Sequence, residues 1–396
     1  MTFLPPDLPN PLTLDLLWAD DALRHRLFPV TAERNFQAHA GVAPLSGPAE
    51  AAVRELAERG ARDMQEPGNF LEYTEDARAL AARFLGVKTG EVALLGPTAL
   101  GLSLVANGLD WEPGDEVVFY QQDYPANVYP WAALERLGVR PVRIETETPG
   151  KLTPELVARH LTPKTKLVAL ASCHFLTGYR LDVSAIGELA HRHGALFCLD
   201  AIQSLGATEV DLTHVDFLSA DSHKWLLGPL GMGVVVVKEN VMDRLRPTLL
   251  GAWNVQSPDF IAQETITLEH SARRYEPGSL NFLGLVGMLA SMELLERFGL
   301  PAIERRLLDL RAFAREKITA RGGTLVHAAE PESATCGIIS LRLDRESGTA
   351  AFRRLQEANI AASLRHDAAK VPHLRLSPHF YNTEADLEAA LELVFA

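Results

Sequence analysis

Cysteine is scarce in this sequence. The 396 residues hold three, Cys173, Cys198 and Cys336, too few for a disulfide scaffold and without the CxxC pairing of a dithiol redox motif. No metal site is expected. Basic residues are also in short supply: 38 Lys and Arg stand against 51 Asp and Glu, a formal net charge of -13. A nucleic-acid partner needs a basic face to meet its phosphate backbone, so that class is excluded, although a local basic pocket for one small anion is not. Long hydrophobic runs are missing too. The longest apolar stretch, Phe282 to Met292, is too short for a bilayer span, and Met1-Thr2-Phe3-Leu4-Pro5-Pro6-Asp7 has no basic region leading into an apolar one. A cytoplasmic, reduced protein with no membrane partner is expected. No G-x-G-x-x-G joins a strand to a helix, since Gly228-Pro229-Leu230-Gly231-Met232-Gly233 leads into a strand, which argues against a nicotinamide dehydrogenase.

What is present is an ordinary globular composition, 47% hydrophobic and 22% charged, in a chain longer than one core usually supports, so two domains are expected. Helical periodicity covers part of 12–34, then Ala49 to Met64 and Glu75 to Leu85, with a short extended piece and a turn over 35–44. From Gly86 to about Val237, apolar runs alternate with amphipathic stretches. The runs are Val92–Leu95, Val117–Tyr120, Leu167–Ala171, Leu196–Leu199, Phe217–Ser219 and Val234–Val237. Near-continuous apolar strands predict an α/β fold, a mostly parallel central sheet covered by helices. A long helix over 278–298, a second over 302–320, two further apolar runs and a last helix over 384–395 predict a smaller α+β domain. The expected division is 1–279 and 280–396.

In such sheets ligands collect beyond the carboxyl ends of the strands, so the polar residues after each run are the ones to inspect. Gly96-Pro97-Thr98-Ala99-Leu100-Gly101 opens a helix expected from Leu102 to Leu109; Thr98 either caps it or helps its N–H groups hold a phosphate. Tyr124 packs beside Pro125 or lies flat on a heterocycle. Asp200 ends a buried run, where a carboxylate is costly unless paired; it caps the next helix or meets a protonated pyridine nitrogen, with Gln203 in reach of a ring hydroxyl. Lys224, in Ala220-Asp221-Ser222-His223-Lys224-Trp225, follows another run. A partly desolvated lysine there keeps some amine free to form a Schiff base with an aldehyde cofactor.

Taken in this order, Leu199-Asp200-Ala201-Ile202-Gln203-Ser204-Leu205-Gly206-Ala207 and Ser219-Ala220-Asp221-Ser222-His223-Lys224-Trp225 resemble the class V aminotransferase family of fold-type I pyridoxal-phosphate enzymes, from about His39 to the C-terminus. The resemblance implies pyridoxal 5'-phosphate joined to Lys224, which also shuttles protons. It further implies Asp200 against the pyridine nitrogen and Gln203 on the ring hydroxyl. Thr98, Ala99, Ser222 and His223 are then on the phosphate, and Tyr124 is stacked on the ring. It implies a homodimer with the site at its interface, Ser279 reaching the neighbour's phosphate. Arg375 is expected to fork onto the substrate α-carboxylate, with a surface salt bridge as the alternative, and His39 to line the substrate entrance.

Departures from the family's pattern narrow the chemistry. Desulfurases of the family use a cysteine near the stretch matching Leu364-Arg365-His366-Asp367-Ala368, and none stands there. Kynureninase-like members usually carry histidine where Gln203 stands and tyrosine where His223 stands, and many relatives have a polar residue at Phe175. The expected activity is therefore α-proton abstraction from an α-amino acid bound as an external aldimine, leading to transamination. A lyase or an epimerase outcome is the alternative after the same first step. A non-catalytic regulator would lose Lys224 or Arg375, and both are present.

Overall fold

A computed structural model of the chain describes residues 3–63 and 70–396. Three short helices, α1 (Leu14–Ala19), α2 (Asp21–Leu27) and α3 (Val30–Glu33), precede strand β1 (Asn35–Phe36) and helices α4 (Gly47–Gly60) and α5 (Phe70–Leu85). The expected helix end at Met64 lies outside the described residues. Then follow β2 (Val92–Ala93), α6 (Thr98–Gly108), β3 (Glu116–Tyr120), α7 (Tyr129–Ala132), β4 (Arg140–Ile144), α8 (Pro154–Ala158), β5 (Thr165–Ala171), α9 (Val183–Arg192), β6 (Leu196–Asp200), β7 (Phe217–Asp221) and β8 (Gly233–Val237). The remainder is α10 (Phe282–Phe298), α11 (Leu300–Ala320), β9 (Ile339–Arg342), α12 (Arg345–Glu357), β10 (Ile360–Ala361), β11 (Ser363–His366), β12 (Pro372–Leu376) and α13 (Glu384–Val394).

Seven strands form the central sheet in the order β2-β8-β7-β6-β5-β3-β4. β3 to β7 run parallel, and β8 is antiparallel to both its neighbours. Alternate residues feed two apolar layers. Val118, Val168, Phe197, Leu199 and Leu218 pack on one face, and Val117, Leu167, Leu196, Cys198 and Phe217 on the other. Period-two alternation with both faces covered explains why the strands read as unbroken apolar runs. β4 escaped that reading because Arg140 and Arg143 face outward on the sheet's edge.

A third core, from Leu310, Ala314 and Ile318 of α11 to Leu374, Leu376 and Leu391, lies under the antiparallel sheet β11-β12-β9. α10, buried along most of its length, packs with α4 and α5 against the large sheet. The apolar cores change over inside α11, where Ile303 and Leu307 pack with the large core and Leu310 with the small one. The first turn of α10 is capped by Asn281, whose Oδ1 accepts the Gly284 N–H, so the helix starts later than expected. The N-terminal segment ties the two parts together: β1 pairs with β10, and the Ser377 N–H donates to the Gln37 carbonyl.

Candidate active site

Strands β2, β3, β5, β6 and β7 end on one side of the sheet, and residues at or beyond their ends surround a cavity of about 380 Å³. Its wall includes Pro97, Thr98, Ala99, Tyr124, Asp200, Gln203, His223, Lys224, Arg365 and Arg375. Helix α6 begins at Thr98, earlier than expected, with Pro97 at the cap position. Its N-terminus is stapled to β7. The Thr98 Oγ1 accepts the Asp221 N–H at 2.8 Å, and the Ser219 hydroxyl donates to the Thr98 carbonyl at 3.0 Å. The first N–H groups of α6 thus open into the cavity with the positive end of the helix dipole.

Lys224 is 8% exposed. Burial pulls its amine down to about 8, with Asp200 opposing and Arg375 assisting. Its Nζ stands 5.4 Å from the centroid of the Tyr124 ring, which also meets Phe175 edge-on at 5.5 Å. Asp200 is buried, its Oδ1 accepting the Ile202 N–H at 3.0 Å, and burial raises its carboxyl although that bond and Lys224 oppose the shift. Gln203 is held at both ends, donating to the Ala40 carbonyl and accepting from the Trp225 indole. The ring of His223 meets Asp221 Oδ1 at 2.7 Å through Nδ1, which leaves Nε2 toward the cavity.

Arg375 is 1% exposed, and burial lowers its guanidinium to about 9, helped by the charge of Arg365. One nitrogen, Nη1, donates to the Phe175 carbonyl. Nε and Nη2 are buried without a hydrogen-bond partner. An orphaned half of a guanidinium is expensive, and the fork geometry of the two free N–H groups matches a carboxylate. Arg375 is buried, not a surface residue, and it makes no salt bridge among the described residues.

Three expected residues stand elsewhere. The Ser222 hydroxyl donates to the Pro229 carbonyl at 2.6 Å and is not in the cavity wall. His39 is fully buried, its ring bonded to the Ser377 carbonyl at 2.8 Å and the Tyr381 hydroxyl at 2.5 Å. Its neighbours Ala40, Gly41 and Val42 line the wall instead. Ser279 is exposed and outside the cavity of its own chain.

Residues 51–390 match the aminotransferase class-V family. The chain belongs to that family. This class V chain is 27% identical over 328 residues to a protein of Methanothermobacter thermautotrophicus named probable cysteine desulfurase, covering 79% of this chain and 81% of the relative. It is 27% identical to an uncharacterized aminotransferase of Bacillus subtilis, covering 94% and 96%. The apo structure of a cysteine desulfurase from Thermococcus onnurineus NA1 superposes with a TM-score of 0.84 at 25% identity, covering 93% of this chain and 96% of that one. The fold is thus fold-type I, and the cofactor of this class V chain is pyridoxal 5'-phosphate. The residues present suit it: a buried amine with a lowered pKa, a buried acid without a cationic hydrogen-bond partner, and an open helix N-terminus share one cavity.

Two charged residues went unread in the sequence. Asp123 is buried beside this site, and burial, with Asp200 assisting, raises its carboxyl to about 7. It accepts the Tyr124 N–H at 2.7 Å and an Asn127 N–H at 3.0 Å, so it fixes the turn that presents Tyr124. Its place directly after a buried run was the signal. Arg365 lines the wall from β11, in a stretch read only for its lack of cysteine.

Proposed function

We propose that this protein is a pyridoxal-phosphate-dependent lyase acting on an α-amino acid that carries a sulfur leaving group on its β-carbon. The observation that carries this reading is the opening of the Lys224 amine and the two orphaned N–H groups of Arg375 into one cavity. Arg375 grips the substrate α-carboxylate through Nε and Nη2 and turns the α-hydrogen toward Lys224. Lys224 Nζ takes the α-proton, and its lowered pKa keeps part of the amine unprotonated for that task. When bound, pyridoxal phosphate supplies the electron sink for the charge left on the α-carbon. Asp200 meets the ring nitrogen, Gln203 the ring hydroxyl, Tyr124 the ring face, and Thr98, Ala99 and His223 the phosphate. The protein acts as a homodimer in which Ser279 serves the neighbouring subunit's phosphate.

Relatives named cysteine desulfurase support carbon–sulfur cleavage over the transamination expected from sequence. All three cysteines are buried and none lines the cavity, so the sulfur leaves with the bonding electron pair, picks up a proton and departs as free sulfide. With water, cysteine then yields pyruvate, ammonia and sulfide. Transamination is the second reading, favoured by the Bacillus subtilis relative named an aminotransferase. Incubating the cofactor-loaded protein with L-cysteine decides between them. Equal amounts of sulfide, pyruvate and ammonia are expected, all lost in Lys224→Ala. Amino transfer to an added 2-oxo acid without sulfide release overturns the lyase reading.

A further inference from the structure

The cavity wall holds more positive charge than the proposed chemistry uses. Lys224 joins the cofactor, Asp200 is matched by the ring nitrogen, and the helix terminus with His223 meets the phosphate. Arg375 has two unpartnered nitrogens, Nε and Nη2, whose side-on fork fits one carboxylate, and its third nitrogen is committed to the Phe175 carbonyl. Arg365 remains. It lines the same cavity, is exposed at its mouth, and makes no ion pair or side-chain hydrogen bond with any described residue.

The ribbon geometry aims the two guanidiniums at one ligand. β11 and β12 are antiparallel, with Ser363 opposite Arg375 and Arg365 opposite His373. Residues two apart on a strand share a face, so Arg365 and Arg375 are diagonal neighbours on one face, roughly 7–8 Å apart at their backbones. The deep guanidinium faces Lys224 and the outer one faces the entrance. Gly41 and Val42 also line the wall, and an added Cβ at Gly41 would stand 3.8 Å from Arg375 Nη2, so the wall beside the guanidinium there carries no side-chain charge. A substrate held by its α-carboxylate at Arg375 extends its side chain past Arg365.

We propose that Arg365 forms a second anion subsite, and that the preferred substrate is an α-amino acid whose side chain carries an acidic group. The proposal rests on the assignment of Arg375 to the α-carboxylate but not on which bond is broken afterwards. A side-chain carboxylate, sulfinate or the distal carboxylate of a disulfide-linked amino acid all present this chemistry.

The test is calorimetric binding of succinate and of butyrate to the cofactor-loaded protein. The two acids have the same chain length, and neither has an amino or a leaving group, so the result is independent of the lyase reading. Succinate binds about tenfold tighter or more, as expected for one added charge-assisted contact, and the preference shrinks with added salt. Arg365→Gln abolishes the preference and Arg365→Lys keeps part of it. Equal affinities in the parent protein overturn the proposal and leave Arg365 a solvated surface cation. Equal weakening of both acids by Arg365→Gln also overturns it, because both guanidiniums then share one carboxylate. Failure of either acid to bind, with sulfide release intact, removes the Arg375 assignment on which it stands.

Discussion

An amine held at 8% exposure between Asp200, Asp221 and Asp123 on one side and Arg375 on the other has its reactivity set by which effect wins. Burial does, and the amine sits near 8. At pH 7.5 roughly a quarter of it is unprotonated, against about one part in a thousand for an ordinary lysine. Acylation of cofactor-free protein by a small reagent, followed by peptide mapping, should label Lys224 first. The rate should rise with pH to a plateau just above 8, where surface lysines are still climbing. A midpoint near 10 would mean that the site is wetter than its packing indicates. Lys224→Ala should bind the cofactor without a borohydride-reducible link and lose roughly 10²–10⁴ in turnover, the usual worth of a placed acid–base group. Thr98, Tyr124, Asp200, Gln203 and Lys224 are legible because they end or follow strands, where chain order alone puts them at the carboxyl edge, whereas Arg375 lies inside β12 and is expected only from the family resemblance. Ser222 and His39 misled because neighbours in sequence point in different directions. Arg365 was silent because its nearness to Arg375 comes from a hairpin register that no local pattern encodes.

Helix α6 shows how close packing places a phosphate cradle. Gly101 lies against β7 so tightly that an added Cβ would stand 2.3 Å from the Ser219 Oγ and 2.6 Å from Val235. They belong to two buried strands, β7 and β8, and cannot give way cheaply. Gly101→Ala should therefore push the helix N-terminus off β7, break the Thr98 contacts and cost about 1–3 kcal/mol of stability. Cofactor affinity measured by absorbance titration should fall with it, while Asn107→Ala, at the far exposed end of the same helix, should leave that affinity unchanged. The apolar run after Gly101 made α6 legible, but its first turn was not, since Pro97 and Thr98 read as a loop until their backbone path is known. A buried ion pair does similar work on the other flank. Arg78 of α5 grips Glu276, which also accepts the Leu94 N–H. Both side chains are about 1% exposed. Glu276→Ala would leave the buried guanidinium only the half-exposed Glu75 at 3.5 Å and the Val92 carbonyl at 3.2 Å, and a loss of about 3 kcal/mol in denaturant unfolding is expected.

For the whole molecule, the sheet and its carboxyl-edge cavity follow from the run of buried strands. A face that a second copy would cover does not, because an interface has no periodicity of its own. The segment carrying Ser279 is anchored at Glu276 and again where the Trp253 N–H donates to the Pro277 carbonyl at 3.4 Å. Gly251 packs against Pro277 of this segment, and the groove that Gly251 lines also holds Leu250, Phe260 and Ile266, between 54% and 69% exposed. A cluster of large apolar side chains beside a serine that cannot serve its own cavity fits a face covered by a second copy. Mixing variants tests this arrangement. If Ser279 serves a second copy, Ser279→Glu should set a negative charge against that copy's phosphate and weaken cofactor binding, and Lys224→Ala should be inactive in every site. In a mixed dimer the site built on the Ser279→Glu chain keeps its lysine and receives an intact serine from its partner, so activity should return on co-expression though each variant alone has little. Mixed dimers that form without regaining activity would show that each cavity is complete within one chain, and a monomer at working concentration would remove the interface altogether.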